Sequence, residues 1–124
     1  MKPLTAAALL LVATSALAGK ADVEDVRVEC MVTCTFNVTV RHADTGWKHY
    51  ADRWEVLAPD GTVLGVRTLY HPHVTEQPFT RSLSGVKIDR SIQEVTLRAR
   101  DSKHGWGGKE IRVKLPPHPV KAGH

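Results

Sequence analysis

Apolar and polar residues alternate with a period of two along most of the chain, and the helical period is absent. Val26, Val28 and Cys30 alternate with Arg27 and Glu29, and Cys34, Phe36, Val38 and Val40 alternate with Thr35, Asn37, Thr39 and Arg41. Trp54 and Val56 alternate with Arg53 and Glu55, and the run stops at Ala58-Pro59-Asp60-Gly61. There Pro presets φ and Gly accepts a positive one, which predicts a turn. Val63 to Leu69 resumes extended chain, Phe79 to Leu83 and Val86 to Ile88 flank Ser84-Gly85, and Val95, Leu97 and Ala99 alternate with Thr96, Arg98 and Arg100. Ile111, Val113 and Leu115 close the series before Pro116-Pro117. About seven short strands with turn signals every ~8–12 residues predict an all-β fold, a single two-sheet antiparallel sandwich.

The first eighteen residues follow another pattern. Lys2 precedes the apolar run Ala6 to Ala13, and Ala16-Leu17-Ala18 places small residues at −3 and −1 of a cut before Gly19. This is a signal-peptide pattern, and the apolar run is about half the ~20 residues a membrane-spanning helix needs. The expected division is a signal peptide over 1–18, a β-sandwich domain over 19–115 and a disordered Pro- and His-containing tail over 116–124. The expected location is the periplasm or the exterior, with no membrane span. No Cys follows the cut, which argues against a lipid-modified N-terminus.

Charge narrows the partners. The formal net charge is +4, including Lys2, and the basic residues are dispersed among thirteen acids. Without a basic block to track a phosphate backbone, nucleic acid is not an expected partner. Arg98, Arg100, Arg112 and Lys114 fall on outward strand positions as a basic stripe. Cys30 and Cys34 enter an oxidising compartment, where a pair usually bridges. In a straight strand their Cα atoms would stand ~13 Å apart, at ~3.3 Å per residue. A bridge, limited to ~7 Å, therefore requires a tight hairpin over Met31 to Thr33. A thiolate pair binding a soft metal and free thiols are the alternatives.

The stretch Trp54-Glu55-Val56-Leu57-Ala58-Pro59-Asp60-Gly61, with the later Val95-Thr96-Leu97-Arg98-Ala99 strand, resembles immunoglobulin-like and fibronectin type III-like sandwiches. The chain is also similar to small secreted bacterial domains of unassigned function. The resemblance implies a fold and no reaction. The inter-sheet disulfide of antibody domains is absent, since Cys30 and Cys34 lie too near each other in sequence.

Histidine supplies the candidate chemistry. Seven are present, of which His118 and His124 lie in the tail. In a sandwich of this class, strand direction carries the other five to one pole. His42 and His49 follow the Cys34 strand, His71 and His73 follow the Val63 strand, and His104 follows the Val95 strand. Imidazoles gathered in this way bind borderline ions such as Cu(II) or Zn(II). His71-Pro72-His73 is the expected nucleus, because Pro limits the backbone freedom lost on binding. His42, His49 or His104 completes the set, with Asp44 or Asp101 as added carboxylates. Trp47, Tyr50, Tyr70 and Trp106 are expected to wall the pole. The plain alternative is that these histidines only hydrogen-bond loop backbones.

No catalytic residue is assigned. The nucleophile elbow, the H-E-x-x-H pair and the Gly-rich phosphate loop are absent, and Asp101-Ser102 near His104 lacks the separate supports a triad needs. The expected function is a non-catalytic, monomeric, exported metal-binding protein whose partner is a metal ion or another envelope protein. The alternative is a structural or protein-interaction module that uses the aromatic and His loops for recognition.

Overall fold

A computed structural model describes residues 19–117. It consists of seven strands: β1 (Asp22–Cys30), β2 (Cys34–Arg41), β3 (Ala51–Leu57), β4 (Val63–Thr68), β5 (Phe79–Val86), β6 (Glu94–Asp101) and β7 (Ile111–Lys114). One sheet has the order β1-β2-β5 and the other β4-β3-β6-β7, with every pairing antiparallel. The two-sheet, all-β arrangement is the one the alternation predicts. The 1–18 segment and residues 118–124 of the expected tail lie outside the described residues.

Period-two patterning builds the core directly. Phe36, Val38 and Val40 of β2 and Val95, Leu97 and Ala99 of β6 are buried in strict alternation. With Trp54 and Val56 from β3 and Phe79 from β5 they form one core. On the outer face of the larger sheet, Glu55 accepts two hydrogen bonds from Arg98, at 3.2 and 3.0 Å, and Arg100 pairs with Asp52 at 2.7 Å. Two of the four residues of the basic stripe are thus neutralised by carboxylates on the neighbouring strand.

Two details depart from the sequence pattern. Ser84-Gly85 does not separate two strands. It forms a bulge within β5, where Gly85 takes a φ of 72° and the register shifts opposite Thr35. β1 also starts four residues before Val26, with its own register shift between Val23 and Asp25.

Cys30 and Cys34 face each other across the β1–β2 hairpin, 4.0 Å apart at Cα, and are disulfide-bonded. Met31 N donates to Thr33 O within the tight turn. Closing so short a loop removes little chain entropy. A Cys30→Ser/Cys34→Ser protein is therefore expected to lose only about 2 kcal/mol, read from urea midpoints at unchanged slope. A loss above about 4 kcal/mol would mean the bridge does more than restrict the unfolded chain.

Strand direction positions the site. β2, β4 and β6 all run toward one pole, here called the top, while β3, β5 and β7 descend from it. The top therefore receives the loops 42–50, 69–78 and 102–110, and β1 begins there as well.

A candidate metal centre at the top of the sandwich

The loop after β2 turns back at once, because Asp44 anchors it. Asp44 Oδ1 lies 2.5 Å from His42 Nδ1 and accepts Ala51 N at 3.0 Å, while Oδ2 accepts His73 N at 2.6 Å. One buried carboxylate thus ties the start of the first top loop to its end and to the second top loop. His42, 2% exposed, is held from its own backbone too, its N–H donating to Gln77 Oε1 at 2.9 Å. On the third loop, Asp101 ends β6 fully buried. Its Oδ2 accepts Lys103 N at 3.2 Å and His104 N at 2.9 Å.

These supports bring four side-chain donor atoms together. His49 Nε2 lies 2.9 Å from Asp101 Oδ2, 3.2 Å from His42 Nε2 and 3.2 Å from His104 Nδ1. Asp101 Oδ2 is also 3.0 Å from His104 Nδ1 and 3.8 Å from His42 Nε2. Among the described residues, the donor atoms of His42, His49 and Asp101 form a group able to hold a metal, all within 4.8 Å of one another. His104 borders it.

Hydrogen bonding alone accounts poorly for this crowding. Asp44 faces His42 Nδ1, so that nitrogen carries the ring hydrogen and Nε2 turns a lone pair toward His49. His49 Nε2 has at most one hydrogen for three neighbours. A tetrahedral ion with bonds of about 2.0–2.1 Å would instead set adjacent donors about 3.3 Å apart, close to the separations found. The Asp44–His42 contact is also the carboxylate support that metal-binding imidazoles usually have on their second nitrogen. Burial pushes the Asp101 carboxyl up. Hydrogen bonds from the backbone and ring of His104 and the backbone of Lys103, helped by the neighbouring His42, together outweigh it and hold Asp101 below the ordinary range. A carboxylate kept ionised suits cation binding.

His71 and His73, the expected nucleus, reach the top but stand apart from this group. His71 is exposed, with Nδ1 3.1 Å from Pro72 O. His73 is buried and stacks on Phe79, ring centroids 3.9 Å apart, while Arg81 donates to its Nε2 at 2.9 Å. An imidazole accepting from a guanidinium at Nε2 has that lone pair committed. His73 instead braces the site, through its N–H to Asp44 and its carbonyl to Gln77 Nε2. The aromatic wall is different as well. Trp47 is 67% and Tyr70 74% exposed, Tyr50 meets Trp47 edge-on at 5.6 Å, and Trp106 lies over Arg98 at 3.9 Å on the outer face of the larger sheet. Ser102 is tied to Tyr50, its Oγ accepting Tyr50 N at 3.1 Å, so its hydroxyl serves the loop.

Burial, then the Arg81 guanidinium and the neighbouring His71, lower the affinity of His73 for a proton, against weaker opposition from Asp44 and Glu76. The folded-state pKa therefore lies below the ordinary 6.5. As pH drops past 6.5 the unfolded chain takes up this proton first, so His73 removes stability until the folded pKa is also passed. Urea midpoints between pH 7.5 and 5 should fall more steeply for the parent protein than for His73→Gln. Parallel curves would show that His73 titrates alike in both states.

Among known proteins, the chain is similar to one from Halomicrobium mukohataei described as "Putative lipoprotein", with 41% identity over 78 residues. The similarity covers 63% of this chain and only 38% of that protein. No family model matches the chain. No solved structure matches it either.

Proposed function

We propose that the chain is an exported, non-catalytic β-sandwich protein that holds one Zn(II) or Cu(II) ion at its top pole. The ligands are His42 Nε2, His49 Nε2 and Asp101 Oδ2, with His104 Nδ1 available as a fourth. The observation that carries this reading is His49 Nε2, which meets two other imidazole nitrogens and a carboxylate oxygen within 3.2 Å. Three imidazoles and a carboxylate suit borderline divalent ions. The three-plus-four strand arrangement supports an immunoglobulin-like or fibronectin type III-like architecture. The resemblance to a described lipoprotein supports a place in the cell envelope.

Calorimetric titration of the exported chain with Zn(II) and Cu(II), each alone, tests the reading. One equivalent should bind, binding should vanish in His42→Ala/His49→Ala, and it should persist in His71→Ala, whose exposed ring stands apart from the four donor atoms. Failure of both ions to bind, or binding that survives the double substitution, would remove the site. A second reading, a protein-recognition surface, is favoured by Trp47 and Tyr70, both mostly exposed on the top loops. It would take over in that event.

A further inference from the structure

The first described residues lie on the site. β1 begins at the top, and the segment before it packs along the loop that carries His104. Val23 N donates to Lys109 O at 2.8 Å, and Lys109 N donates to Asp22 Oδ1 at 2.7 Å. Gly108 fits only as glycine, since a Cβ there would stand 1.9 Å from Ala21 O, against backbone that cannot yield. These contacts fix where Gly19 sits. A Cβ on Gly19 would stand 3.1 Å from His104 Cε1, 3.4 Å from Nε2 and 3.5 Å from Nδ1. That position is nearest Cε1, the carbon bonded to both ring nitrogens, so Gly19 sits at the Cε1 edge of the His104 ring. The Nδ1 of that ring is the atom 3.2 Å from His49 Nε2 and 3.0 Å from Asp101 Oδ2.

The same glycine follows Ala16-Leu17-Ala18, the small-residue pattern at which a leader would be cut. Before the cut, the Gly19 nitrogen is a peptide amide whose lone pair is delocalised into the carbonyl, and it is a poor ligand. After it, the nitrogen is a primary amine one bond of about 1.46 Å from the Cα of a residue that sits at the edge of the His104 ring, and free to rotate. We propose that the Gly19 α-amino group, freed by cleavage after Ala18, joins the metal bound by His42, His49 and Asp101, so that the full ligand set exists only in the processed chain. The inference rests on the metal reading above and adds to it a ligand and a timing. The ion is taken up tightly only after the leader is removed, in the compartment that the chain has been exported to.

The test compares two exported proteins, the parent and one with a single Ser inserted between Ala18 and Gly19. The insertion turns the Gly19 nitrogen back into an amide and carries the free amine one residue away. Intact mass fixes the first residue of each, and competitive titration with Cu(II) alone and Zn(II) alone gives affinities. The parent should begin at Gly19. The inserted form should bind at least about ten-fold more weakly, because an intramolecular ligand acts at high effective concentration. The electron paramagnetic resonance spectrum of its Cu(II) form should show one nitrogen coupling fewer. A parent protein whose Gly19 amine has been converted to a carbonyl by transamination should behave like the inserted form, and serves if the insertion disturbs folding. Equal affinities and spectra would overturn the amine ligand and leave the histidine site standing. A first residue other than Gly19 would overturn it as well. No binding by either protein would show that the metal reading itself fails, and this inference with it.

Discussion

Asp44→Ala is expected to lose about 3–5 kcal/mol of stability and, with it, measurable metal binding. Three donors converge on this buried carboxylate: His42 Nδ1, Ala51 N and His73 N. Each buried donor left without a partner costs about 1–3 kcal/mol, and Ala offers none of them an acceptor. For a domain of ordinary stability, ~5–15 kcal/mol, that is a large share. Asp44→Asn separates the two effects. Its amide oxygen still accepts two of the bonds, so the fold should survive with a smaller loss. The weaker support for His42 should then lower metal affinity about 10–100-fold. Urea unfolding in the absence of metal and titration in its presence read the two quantities. A cost under about 1 kcal/mol for Asp44→Ala would show that the top loops are organised by something other than this residue.

The second large effect lies in the core. Trp54 is fully buried in the middle of β3, with Ala99 beside it on β6. The small neighbour leaves room for the indole, and Trp54→Ala would leave a void that the two sheets cannot close. A loss of about 3–5 kcal/mol is expected. Among the described residues, the indole Nε1 has no hydrogen-bond partner, so Trp54→Phe removes volume without orphaning a bond. It should cost clearly less than the alanine variant. Equal costs for the two would place the value of Trp54 in a polar contact and contradict the packing account.

The fold was legible because period-two burial is a local signal. β2 and β6 alternate strictly, and their boundaries can be read to within a residue. The bulge at Gly85 was not, since a glycine within a strand and a glycine between two strands look alike until the partner's register is known. Strand direction alone brought all five domain histidines to one end. Which of them converge was not legible, because convergence depends on where each ring points within a loop. His71 and His73 look like a ready pair in sequence, yet Phe79 and Arg81 enter from β5 and take the His73 ring. Asp44 read as a spare ligand, and its role in bracing His42 through Nδ1 needed atomic geometry. The nearness of Gly19 to His104 spans 85 positions in sequence, and no spacing rule reaches that far.

The most direct measurement is a crystal structure of the processed chain grown with Zn(II), with anomalous data collected on both sides of the zinc absorption edge. A single anomalous peak should lie about 2.0–2.2 Å from His42 Nε2, His49 Nε2 and Asp101 Oδ2. A peak at His71 and His73, or none at the top pole with zinc in excess, would contradict the account.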